Sequence, residues 1–131
     1  MGTAHDILRA LNLDIMIQES AGNTQYFEGL LADEFAMRRG DLTTFVDRGS
    51  FIAHVAASPN RITEDLDIVL QTSTFAVVRC TIAMTKDGIP GRYDNVRLFT
   101  RASERDPWKL LAWVNETIEP GGPDGGMPIT G

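Results

Sequence analysis

Tyr93, Asn95 and Arg97 fall at every second position of one stretch, and Trp113 and Asn115 repeat that spacing a short turn later. If both stretches are strands, alternation brings these side chains onto one face. A phenol, two carboxamides, a guanidinium and an indole suit a partly apolar cavity with a few polar anchors. The guanidinium can grip a carboxylate or an enolate through paired N–H groups, while the amides orient a carbonyl oxygen. The competing reading is a buried network in which Arg97 pairs with Glu34 or another acid and braces the fold. No general base accompanies the set, so no catalytic residue is assigned.

The stretch that must position them runs from Arg92 to Glu119 and reads as two long strands around the polar turn Ala102 to Pro107. Alternation places Leu111, Trp113, Asn115 and Thr117 on one side of the last strand, against Leu110, Ala112, Val114 and Glu116. In the preceding strand Tyr93, Asn95, Arg97 and Phe99 oppose Asp94, Val96, Leu98 and Thr100. Val96, Leu98, Leu110 and Val114 then form an outer apolar patch of the kind that soluble monomers rarely expose, which predicts a homodimer through the sheet.

The earlier chain supplies the cover. His5 to Ser20 carries Ile7, Leu8, Leu11 and Ile15 at helical spacing, capped by Thr3 and ended at Gly22. A short second helix follows through Leu31, burying Phe27, Leu30 and Leu31. Glu34 to Arg39 reads as a strand with Phe35 and Met37 on one side. Gly40-Asp41 turns into a short strand at Leu42 to Val46. Asp47 caps a third helix through Ala57, stopped by Pro59-Asn60. Arg61 to Gln71 alternates with Ile62, Leu66, Ile68 and Leu70, and Phe75 to Thr85 is a strand richer in β-branched residues. Lys86 to Gly88 and Pro90-Gly91 form the connection to the final hairpin.

Other chemically capable residues fit plainer roles. His54 lies off the apolar stripe of its helix, and His5 sits in a first turn. Asp33 and Glu34 are strand neighbours and make no acid–base pair. Glu64, Asp65 and Asp67 read as a solvated strand edge. Cys80 is the single cysteine, which excludes an internal disulfide and a cysteine-rich zinc site and suits a small buried strand residue. No metal and no cofactor are expected.

At 131 residues, with 43% hydrophobic and 23% charged residues, the chain is one globular α+β domain. Residues 1–120 form it, and 121–131 read as a flexible Gly/Pro-rich tail. A formal net charge of −6 argues against a nucleic-acid or anionic-membrane surface. No apolar run is long enough to span a bilayer and no leader pattern opens the chain, so a cytoplasmic location is the expectation.

Four stretches carry a resemblance to the NTF2-like superfamily and, within it, to the SnoaL-like and DUF4440-type group: LLADEF at Leu30 to Phe35, VDRGSF at Val46 to Phe51, GRYDNVRLF at Gly91 to Phe99 and WKLLAWVNE at Trp108 to Glu116. The resemblance spans roughly residues 5–118. It implies a curved antiparallel sheet wrapped around about three helices as a cone, with a small-molecule cavity and a sheet-packed dimer. It leaves the chemistry open, because this scaffold hosts cofactor-independent isomerases, cyclases and lyases as well as binding proteins. By the LLADEF alignment, the carboxylate base of the steroid isomerases falls at Arg39, their tyrosine near Ile15 and their aspartic acid at Asn95. The histidine pair of the dehydratases has no counterpart. The sequence thus points to a pocket protein for a hydrophobic carbonyl-containing or acidic compound. The alternative is a non-catalytic homodimerising module with a vestigial cavity.

Overall fold

The computed structural model describes residues 3–38, 45–57, 61–86 and 88–119. Three helices, α1 (Ala4–Ala21), α2 (Thr24–Leu30) and α3 (Arg48–His54), cover one face of a six-stranded sheet. The strands are β1 (Leu31–Arg38), β2 (Phe45–Asp47), β3 (Arg61–Gln71), β4 (Phe75–Lys86), β5 (Ile89–Thr100) and β6 (Lys109–Glu119). Their order is β2-β1-β6-β5-β4-β3, antiparallel throughout except for the parallel pair β1 and β6. The turn expected at Gly40-Asp41, the stop at Pro59-Asn60 and the tail lie outside the described residues.

The start of α1 is a reciprocal cap: Thr3 Oγ1 accepts from the Asp6 N–H, and Asp6 Oδ2 accepts from the Thr3 N–H. Its end needs Gly22, which is left-handed at φ 71° and whose N–H reaches the Glu19 carbonyl. The buried face of α1 departs from the apolar stripe read in the sequence. Leu8, Asn12, Ile15, Met16 and Glu19 point inward, whereas Ile7 is 50% exposed, and Leu13 and Ile17 also face out. The helix is turned so that Asn12 meets the sheet's arginine, described below.

α3 begins at the Asp47 cap as expected, with the Asp47 carboxylate accepting from the Ser50 N–H; that bond holds the carboxyl below its ordinary range. It ends at His54 rather than Ala57. Pro90 and Gly91 are part of β5 rather than of a loop.

Register slips in β3 and β6 change which faces their side chains take. In β3 the register slips between Thr63 and Asp65 and again between Ile68 and Leu70. Leu66 and Ile68 therefore pack on the core, while Ile62 and Leu70 are exposed. In β6 the slip falls at Leu111, because Leu98 pairs Ala112 but Phe99 pairs Leu110. Leu110 is thus fully buried, not part of an outer patch, and Leu111 is only half-buried.

Candidate functional site

Every anchor residue read from the sequence is in the interior. Tyr93, Asn95, Arg97, Trp113 and Asn115 are each 0% exposed. β5 runs without a bulge from Tyr93 to Leu98, so its alternation holds. Cross-strand pairing then sets Tyr93 opposite Thr117, Asn95 opposite Asn115 and Arg97 opposite Trp113.

Arg97 is the centre of the group. Its guanidinium carbon lies 4.6 Å from the centre of the Trp113 ring. Nη1 donates to Asn12 Oδ1 at 3.1 Å, to the Asn12 carbonyl at 3.4 Å and to Cys80 Sγ at 3.7 Å. Nη2 donates to Asn95 Oδ1 at 3.4 Å. Asn12 is itself fixed, because its Nδ2 donates to the Leu8 carbonyl at 2.7 Å and turns Oδ1 toward the arginine. Among the described residues no carboxylate comes within ion-pairing distance of Arg97, and Glu34, the acid considered for it, is exposed. Burial pulls the Arg97 pKa down, and the fields of Cys80, Glu19 and Tyr26 oppose that pull.

Spare hydrogen-bonding capacity lies along the same face of β5 and β6. Arg97 Nε, Asn95 Nδ2, Tyr93 Oη and Thr117 Oγ1 are buried without a hydrogen-bond partner. Buried polar groups are ordinarily paired, so such a cluster calls for an explanation. Aromatic side chains border it: Phe51 lies 5.8 Å from Trp113 and packs on Phe27 and Phe35.

Asn12 was missed by sequence reasoning, as were the buried Glu19 and Tyr26. Glu19 lies 3.7 Å from Arg61, and the Tyr26 hydroxyl is pushed well up by burial and by the charge of Asp14. A polar residue on the inward arc of α1 was the available signal. Cys80 is buried as expected, and burial raises its thiol pKa although Arg97 works against that.

Two hollows lie away from Arg97. One of about 190 Å³ sits at Asp65–Asp67 and Arg79–Thr81, and an open depression of about 520 Å³ lies beside Ile7, Thr72 and Arg101.

The remaining candidates follow their plain readings. His54 is exposed, with Nδ1 2.7 Å from the Ser50 carbonyl, and His5 is exposed in the first turn. Glu64 pairs with Arg92 at 2.9 Å on the surface. Asp33 and Glu34 are both exposed rather than pointing to opposite faces, next to the register shift in β1. Among the described residues no cluster of histidine, cysteine or carboxylate side chains could hold a metal ion, and no helix is long and apolar enough to cross a membrane.

Neither a family profile nor a curated protein matches the chain. Solved structures do. An NTF2-like protein from Cytophaga hutchinsonii superposes with a TM-score of 0.78 at 15% identity, covering 89% of this chain and 100% of that one. The CaMKII hub of S. rosetta gives 0.67 at 14% identity, covering 89% and 98%. A candidate ketosteroid isomerase from Parabacteroides distasonis gives 0.65 at 9% identity, covering 85% and 86%. The chain has the NTF2-like α+β fold. Its neighbours in that fold include both enzymes by name and assembly domains, so the fold alone assigns no activity.

Proposed function

We propose that this is a small-molecule-binding protein of the SnoaL/DUF4440-like kind whose interior takes a hydrophobic ligand bearing a carboxylate or a carbonyl. One observation carries the reading: among the described residues Arg97 is fully buried with no carboxylate within ion-pairing distance, on the strand that carries the unpaired donors of Tyr93 and Asn95. A buried guanidinium without an anion costs several kcal/mol, and a bound acid would offset that cost. Trp113 and Phe51 supply the apolar wall. Among the described residues no acid–base pair accompanies Arg97, and binding is the reading carried forward.

A thermal-shift screen of small aromatic and branched acids against their neutral amides tests this. Acids should raise the melting temperature in preference to amides. Arg97→Met should weaken the acids more than the amides, because the positive charge beside the site is lost. If no acid or carbonyl compound stabilises the protein at millimolar concentration, the reading is wrong.

A second observation favours a self-assembling module. On the sheet face away from the helices, Leu70, Val77, Leu98, Ala112 and Ala36 align in register across five strands. Val96 and Val114 extend this band and are 36% and 41% exposed. A pair of such faces related by a two-fold axis would cover it. The likeness to CaMKII hub domains is in keeping with assembly.

A further inference from the structure

The Asn95 amide has one orientation open to it. Its Oδ1 accepts from the Trp113 Nε1–H at 2.6 Å and from Arg97 Nη2 at 3.4 Å. Turned over, the amide would set its own N–H groups against two other donors. Nδ2 is therefore held away from Trp113 and Arg97, and it is buried with no partner. On the same face of β5, two positions earlier, the Tyr93 hydroxyl is likewise buried and unpaired. Arg97, by contrast, has both its Nη atoms committed to Asn12, Cys80 and Asn95. Only Nε is left, at the edge of a guanidinium stacked on Trp113.

We propose that Asn95 Nδ2 and Tyr93 Oη are the groups that receive the ligand's oxygen atoms, and that the ligand is an aromatic monocarboxylate. Arg97 is then a positioning residue: it holds the Asn95 amide and supplies positive potential. The assignment rests on the pocket reading above. Both are neutral donors on one face of β5, a carboxylate has two oxygens to accept from them, and the guanidinium charge held at Asn95 selects the anion over a neutral carbonyl. The ring seats against Phe51 and Trp113, whose centroids are 5.8 Å apart.

The probe is sodium phenylacetate, with phenylacetamide as its neutral counterpart, titrated into the full chain by calorimetry and by ¹⁵N–¹H NMR. Phenylacetate should bind at least about tenfold more tightly than the amide, and it should shift the Asn95 side-chain amide signals of the wild-type protein. Tyr93→Phe, which keeps the ring, should lose about tenfold to a hundredfold in affinity, the fold-change expected for a hydrogen bond to a charged group. Arg97→Met should broaden the Asn95 amide signals even before ligand is added, while the Trp113 indole signal stays sharp; a residue that only braced the fold would not produce that split. The outcome that overturns the assignment is phenylacetate binding with Asn95 undisturbed and Tyr93→Phe unchanged within twofold. In that case the pocket reading survives and the donors lie elsewhere. Should neither probe bind the wild-type chain, the assignment to an aromatic monocarboxylate falls, and the thermal-shift screen decides the pocket reading. If Tyr93→Phe does not fold, the wild-type Asn95 signals alone decide.

Discussion

Cys80 and Tyr26 make the protein's stability sensitive to alkali. Burial holds the Cys80 thiol above its ordinary pKa of 9.0, and burial with the charge of Asp14 holds the Tyr26 phenol above 10.0. The folded chain therefore keeps protons that the unfolded chain releases. Stability from this source is complete below about pH 9 and falls as pH rises toward the folded values, by up to about 1.4 kcal/mol per pH unit for each group. Urea unfolding of the wild type at about pH 8 and about pH 10 should show that loss. Cys80→Ala should flatten it by removing the thiol's share. An equal loss in the variant would mean that Cys80 is not held in its protonated form by the fold. At this scale the sequence was a good guide wherever the strand was regular. Tyr93, Asn95 and Arg97 face inward because β5 carries no bulge between them. The partners of Arg97 were not legible, since Asn12 is 85 residues away in sequence and joins it only when α1 docks on the sheet.

Among the elements, the α1 to α2 junction tolerates change least. A Cβ built on Gly22 would lie 2.4 Å from the Ala57 backbone nitrogen and 2.8 Å from the Ala56 carbonyl carbon, at φ +71°. All three nearest atoms are backbone of Ala56 and Ala57, which leaves no flexible side chain to give way. Gly88 has a similar φ of +78° but open space around it. Gly88→Ala should therefore cost about 1 kcal/mol, the left-handed penalty alone, whereas Gly22→Ala should cost roughly 2 kcal/mol or more. Chemical denaturation of the two variants checks the ordering, and equal losses would refute the clash. The start and end of α1, its caps and the existence of all six strands were readable from local chemistry. The bulges in β3 and β6 were not. Each is a slip against a neighbouring strand, so one inserted position reversed the faces of Ile62, Leu70 and Leu110. The rotation of α1 was hidden for a related reason: Ile7 and Ile17 look like core residues by hydropathy, yet the polar pair Asn12 and Glu19 takes the inner arc.

For the whole molecule the open question is what covers the outer face of the sheet. The apolar row from Leu70 to Ala36 crosses five strands, a width of about 19 Å at the usual strand spacing. Beside it, Val96 and Val114 continue the band, while Arg79 and Asp94 neutralise each other at its margin. The net charge of −6 makes an anionic surface a poor partner for this face. A second copy of the chain, by contrast, presents the same apolar row to itself. Sedimentation at micromolar concentration should accordingly give a dimer or a larger even-numbered assembly. Leu98 is the residue to change, because it lies mid-row and pairs outward-facing Val77 on one side and Ala112 on the other. Leu98→Glu should convert the assembly to monomer, since two buried carboxylates would then face each other across the two-fold axis. The variant's fold should survive, because Leu98 contributes nothing to the core cluster on the opposite face. A wild-type protein that sediments only as monomer would remove self-association as the role of this face. A Leu98→Glu variant that keeps the wild-type size would place the interface elsewhere, with the exposed Ile7, Leu13 and Ile17 side of α1 as the next surface to test.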